Sequence, residues 1–166
     1  MLESYIKERL KTKEILLMTH IVMGYPSFEA SYEIVKQMVE AGVDLMELQI
    51  PFSEPMADGP VILKANQKAI ENGSSVQKCF EFAQKISNEF SIPFLFMSYA
   101  NILFKYGMEK FSDKMAQINL KGAIVPDLPP EESDDYIKAM KKNNLSPVYI
   151  FSPETSDKRL KYISSY

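Results

Sequence analysis

Met46–Glu47–Leu48–Gln49–Ile50–Pro51–Phe52–Ser53–Glu54–Pro55–Met56–Ala57–Asp58–Gly59–Pro60 is the stretch from which the rest of the chain is read. It continues an apolar run, Val43 to Ile50, that reads as a buried strand interrupted by Asp44, Glu47 and Gln49. A parallel strand covered on both faces is normally an almost unbroken run of Val, Ile and Leu. A carboxylate placed there loses its hydration and must be paired or hydrogen-bonded. Glu47, in mid-strand, therefore has either a structural partner, such as a lysine or buried amides, or a chemical task. Beyond the strand the chain stiffens: Pro51, Pro55 and Pro60 each fix φ and remove an amide donor. Pro60 suits the first position of a helix, which makes Gly59 the N-cap and leaves Asp58 on the loop. Asp58 reads either as a turn-shaping residue before Gly59 or as a second acid delivered beside the strand end.

Working outward, Met1–Lys11 has the apolar spacing of a short amphipathic helix through Leu2, Tyr5, Ile6 and Leu10. Ile15–Val22 is predicted as the first strand, with Ser27 capping a helix that runs through Glu40. After the quoted stretch, helices are predicted over Val61–Asn72 and from Ser74 or Ser75 to about Phe90. A third strand, Ile92–Ser98, is followed by short helices over Ile102–Tyr106 and Met108–Ile118. Gly122–Val125 and Pro147–Phe151 read as strands four and five, with a helix over Glu131–Asn143 between them and a last one over Ser156–Ser165. This alternation argues for βαβ units and a parallel sheet whose strands neighbour one another in chain order. Polar and turn-forming residues cluster after strands one to four, the edge that carries sites in barrels and open sheets alike. Met23–Gly24–Tyr25–Pro26 matches neither G-x-G-x-x-G nor a P-loop, which sets a barrel modestly ahead of a nucleotide-binding open sheet.

Composition narrows the function. The chain has 166 residues, 46% of them hydrophobic, and a formal charge of −3, enough for one domain with a proper core. Scattered lysines form no basic stripe, so nucleic acid is not expected as a partner. No apolar run approaches the roughly 20 residues of a membrane span. The N-terminal residues show no signal-peptide pattern, and a cytoplasmic location is expected. A single cysteine, Cys79, reads as a reduced thiol, and a single histidine, His20, leaves little material for a zinc site or a Ser-His-Asp triad. No metal is expected.

The quoted stretch resembles the signature of the tryptophan synthase α chain family, close to L-E-L-G-I-P-F-S-D-P-x-A-D-G-P. Two further blocks agree in order and spacing: Met97–Ser98–Tyr99–Ala100–Asn101 and Ile124–Val125–Pro126–Asp127–Leu128–Pro129–Pro130–Glu131–Glu132. The resemblance implies a (β/α)8 TIM barrel, of which residues 1–166 make one domain holding about the first five β/α units. It also implies that the family continues beyond the position of Tyr166 with a Gly-rich loop and strands that hold the substrate phosphate. The activity implied is that of a lyase: aldol-type cleavage of indole-3-glycerol phosphate to indole and glyceraldehyde 3-phosphate in tryptophan biosynthesis. Glu47 falls on the family's catalytic glutamate and Asp58 on its second acid. Glu47, desolvated, would exchange the proton, while Asp58, on a wetter loop, would stay ionised and accept the indole N–H.

By the same resemblance Tyr99, His20, Met97, Ile124 and Ile150 would line the substrate pocket. Glu54, Pro55 and Met56 would meet the β chain of an α2β2 heterotetramer. No cofactor is implied in this chain, since pyridoxal phosphate belongs to the β partner. Four positions depart from the family pattern: His20 for a common Phe, Tyr25 for a frequent Asp, Gln49 for a Gly and Glu54 for Asp. His20 is flat enough to stack on indole and reads as a pocket wall rather than a base. Asp127, between Pro126 and Pro129, reads as structural. Two other functions stay open: a stand-alone lyase releasing free indole, and a non-catalytic barrel that only binds a partner.

Overall fold

The computed structural model describes residues 2–166; the predicted start of the first helix at Met1 lies outside them. Five strands, β1 (Met18–Val22), β2 (Leu45–Gln49), β3 (Phe94–Met97), β4 (Gly122–Ile124) and β5 (Ser146–Val148), form one sheet in the order β1-β2-β3-β4-β5. Every pair is parallel, as the alternation of elements predicts. The helices are α1 (Leu2–Arg9), α2 (Phe28–Glu40), α3 (Pro60–Glu71), α4 (Val76–Glu89), α5 (Ala100–Tyr106), α6 (Met108–Gln117), α7 (Asp134–Lys142) and α8 (Asp157–Ile163).

Local chemistry sets several helix starts. Ser27 caps α2 by accepting the Ala30 N–H at 3.1 Å, and Ser75 caps α4 by accepting that of Lys78 at 3.3 Å. Gly59 and Pro60 open α3 as predicted. The strands separate two packing layers through their period of two. One face carries Ile21, Met46, Leu48, Phe94, Phe96 and Ala123 into the helix-side core. There Phe80 packs edge-on against Phe96 and Phe111, with both centroid separations 5.2 Å. The other face carries Leu45 and Leu95 at the N-terminal end, covered by Leu2 and Ile6 of α1, and Met97 and Ile124 at the C-terminal end. Close strand approach explains Gly122, where a Cβ would stand 2.3 Å from the Ser146 carbonyl oxygen.

The boundaries differ from the sequence reading in three instructive places. β1 begins at Met18 rather than Ile15, because Leu17 O already accepts from Asp44 N and Leu45 N where β2 begins; Ile15 is left exposed. The helix predicted over Glu131–Asn143 is split into a 3-10 turn, Pro130–Glu132, and α7. Ser133 stands between them, its Oγ donating to Pro130 O at 2.9 Å and sharing a 2.8 Å hydrogen bond with Tyr149 Oη, which competes with continuous helix. β5 stops at Val148, not Phe151: it lies at the sheet's edge and pairs only with the three-residue β4.

Candidate active site

The three polar residues that interrupt the run around β2 separate into different environments. Asp44 lies just before β2 at the N-terminal end of the sheet, with its side chain buried. Its Oδ1 accepts from Lys13 Nζ at 2.7 Å and Arg9 Nη2 at 2.8 Å, and its Oδ2 from the Leu17 N–H at 3.0 Å. The Lys13 ammonium, the Leu17 amide and the Arg9 guanidinium hold this carboxyl well below the usual carboxylate range. Asp44 is therefore a paired, structural acid that docks the α1 region under the sheet.

Glu47 is different. Its side chain is 17% exposed, and the only basic side chain within ion-pair reach among the described residues is His20, with Nε2 at 3.9 Å from Oε1. His20 is its register partner on β1 and Leu95 its partner on β3, so the backbone fixes where the carboxylate stands. Burial raises its pKa, the nearby His20 opposes the rise, and Asp58 adds to it. A half-buried carboxyl without a close donor, beside a second acid, has the surroundings that proton exchange requires, and paired structural acids lack them.

Asp58 reaches the same end of the sheet on the proline-shaped loop. Gln49, at the last position of β2, donates from Nε2 to Asp58 Oδ2 at 2.6 Å, while its Oε1 lies 2.8 Å from His20 Nε2. Asn66 on α3 supports the loop, its Oδ1 accepting the Phe52 N–H at 2.9 Å. Gln49 and Asn66 are both fully buried. Tyr99, just past β3, is buried, stacks on Phe52 at 5.1 Å, and accepts the Ala57 N–H on its hydroxyl at 3.2 Å. Burial is the main cause that pushes its phenol up. Glu47, Asp58 and Tyr99 thus converge at the C-terminal end of the parallel strands, as expected from their places in the sequence.

Met97 and Ile124 pack with Tyr99 in one small cluster, joined by Phe52 and Val148. Ile150 does not take part: β5 ends two residues earlier, the side chain is exposed, and Val148 occupies the inward position. Asp127 accepts the Ala100 N–H at 2.9 Å and so anchors the start of α5, the structural part expected of it. On the loop, Glu54 and Met56 are exposed, but Pro55 is buried and offers little surface to a partner. Sequence reading missed Asn66 altogether and read Gln49 only as a departure. The available signal was an amide at i+4 from Ile62 on the apolar side of α3. No three His, Cys, Asp or Glu side chains cluster as a metal site would require, and no helix is long and apolar enough to cross a membrane, among the described residues.

The profile of the family described as "Tryptophan synthase alpha chain" matches residues 6–166. The chain belongs to that family. The tryptophan synthase alpha chain of Desulforapulum autotrophicum is 68% identical over 165 residues, covering 99% of this chain and 65% of its own length. That of Syntrophotalea carbinolica is 60% identical over 166 residues, covering 100% and 66%. Among solved structures, a protein from Aquifex aeolicus VF5 superposes with a TM-score of 0.92 at 37% identity, covering 98% of this chain and 64% of that one. The tryptophan synthase subunit alpha of Legionella pneumophila superposes at 0.90 with 32% identity, covering 98% and 62%. The five parallel units are therefore part of the family's (β/α)8 barrel, and the chain spans about 65% of the length of these curated relatives.

Proposed function

We propose that this chain acts as the α chain of tryptophan synthase, a lyase that cleaves indole-3-glycerol phosphate to indole and glyceraldehyde 3-phosphate. The observation that carries the reading is the contrast between two acids at one sheet end. Glu47 is desolvated and lacks a close donor, whereas Asp58 is held by Gln49 on a braced loop.

Cleavage requires a proton on indole carbon 3, loss of the proton from the side-chain hydroxyl, and breaking of the bond between them. The electron pair of that bond stays with the ring as the hydroxyl carbon becomes the aldehyde. One proton enters and one leaves, so a single carboxyl with a raised pKa can serve as acid and then as base. Asp58 accepts the indole N–H and stabilises the positive charge that forms on the ring. Tyr99, Met97 and Ile124 give the apolar wall against which the indole rests, and His20 flanks Glu47.

The exposed Glu54 and Met56 are the parts of the loop that meet a β chain in an α2β2 assembly. Pyridoxal phosphate belongs to that partner, and a cytoplasmic location follows from the biosynthetic role. Incubating the full chain with indole-3-glycerol phosphate should release indole and glyceraldehyde 3-phosphate in equal amounts. Loss of that release in both Glu47→Gln and Asp58→Asn supports the assignment; absence of indole from the parent overturns it.

A further inference from the structure

A buried hydrogen-bonded frame ties the two acids together, and neither Glu47 nor Asp58 is its hub. The hub is Gln49, whose amide touches Asp58 on one side and His20 on the other, at 2.6 and 2.8 Å. We propose that Gln49 is a positioning residue for the cleavage reaction: its side chain aims Asp58 at the pocket and holds His20 beside Glu47.

The argument starts from donor and acceptor inventories. An ionised carboxylate only accepts, so the Gln49 group facing Asp58 must be the NH2. That orientation turns the amide oxygen towards His20, which forces the proton onto Nε2. The imidazole is thus the donor and the Gln49 amide oxygen the acceptor. The same Nε2 stands 3.9 Å from Glu47 Oε1, so the ring's place on the Glu47 side is set by Gln49. Asn66 closes the frame from α3, with Oδ1 3.5 Å from Gln49 Nε2 and Nδ2 2.9 Å from Ile62 O.

Burial makes this arrangement decisive. With Gln49 wholly removed from water, its amide has no solvent alternative, and a lost partner leaves a polar group unsatisfied. The titratable groups around the frame are His20 from β1, Glu47 from β2 and Tyr99 after β3, with Asp127 beyond β4 acting on Tyr99. Glycine at this position could make neither contact, so His20 and Gln49 form a matched pair in which each residue gives the other its partner.

The role in turnover rests on the proposed cleavage, but the frame itself can be read without it. His20 is the chain's only histidine, so a long-range proton–nitrogen correlation spectrum reports its tautomer with no assignment problem. The parent should show the Nε2–H form alone, and Gln49→Leu should relax to the mixture of a free imidazole, in which an Nδ1–H minority appears beside the Nε2–H form. An Nδ1–H parent, or an unchanged tautomer in Gln49→Leu, overturns the frame.

In the full chain with its β partner, Gln49→Leu should lower kcat roughly ten- to a hundredfold, the loss of one hydrogen bond to a charged group, with KM nearly unchanged. Gln49→Glu should fall as far at neutral pH but regain turnover as the medium is acidified, because a shared proton restores a donor to Asp58. Gln49→Leu should show no such acid limb. His20→Phe, at a less buried site, should cost about two- to tenfold and provides the reading if either core variant fails to fold. Parent-like kcat in Gln49→Leu or His20→Phe, or a Gln49→Glu profile without the acid limb, overturns the positioning role. A parent that releases no indole sinks the cleavage reading, and with it any role in turnover, whereas the tautomer alone decides whether the frame exists.

Discussion

Replacing Glu47 by Gln separates chemistry from architecture more sharply than any other single change. The backbone at this position is locked between His20 and Leu95, and the amide is isosteric with the carboxyl, so the strand has no reason to move. The side chain's ion-pair partner among the described residues, His20, stands at 3.9 Å, beyond hydrogen-bond length, so removing the charge orphans no close donor. The expected change in stability is therefore within about 1 kcal/mol, a shift in Tm of roughly 2–4 °C for a chain of this size class.

Its sign follows from linkage. Burial raises the folded-state pKa, so between the unfolded carboxyl value of about 4.3 and that raised value the folded protein binds more protons. Parent stability then falls as pH rises through this window, and the glutamine variant escapes the fall. Above it, Glu47→Gln should be as stable as the parent or slightly more so; below it, the two should coincide. Turnover should behave in the opposite way. Loss of a general acid–base group costs about 10² to 10⁴ in rate, equivalent to roughly 3–5 kcal/mol of activation free energy. Urea unfolding at several pH values, alongside indole release by the full chain mixed with a tryptophan synthase β chain, measures both. A well-folded variant turning over near the parent rate would refute the reasoning, and so would one that unfolds.

The remaining predictions address the frame around the site. Asp44→Asn should destabilise the chain at neutral pH; because the folded pKa is depressed, that stabilisation is present above about pH 4 and is lost as pH falls towards the folded value, so variant and parent midpoints in urea should converge in acid. Gly122→Ala should destabilise by about 1–3 kcal/mol, since its methyl group meets a backbone oxygen across the β4–β5 pair; an unchanged unfolding midpoint would mean the strands part freely. Met56→Asp should weaken activation by the β chain more than it weakens cleavage by the isolated chain, and equal losses in the two assays would remove the loop from the interface.

Much of this protein was legible in its sequence because the relevant signals are local. Strand periodicity, capping serines and the Gly59–Pro60 helix start depend on a few neighbouring residues, and they place five parallel units and the acids Glu47 and Asp58 without any long-range information. Tertiary structure decided what each polar residue does, because that depends on partners far along the chain. Asp44 and Glu47 are three residues apart in one apolar run, yet Lys13 and Arg9 fold back to neutralise the first, while among the described residues the second has only His20 within ion-pair reach. Pro55 and Ile150 exchange their expected surroundings for the same reason: one is buried by its loop, and the other lies beyond an edge strand that ends at Val148. Gln49 reads in sequence as a simple departure from glycine. Its two partners come from positions 29 residues earlier and 9 residues later, and only the folded sheet brings them to the two ends of one amide.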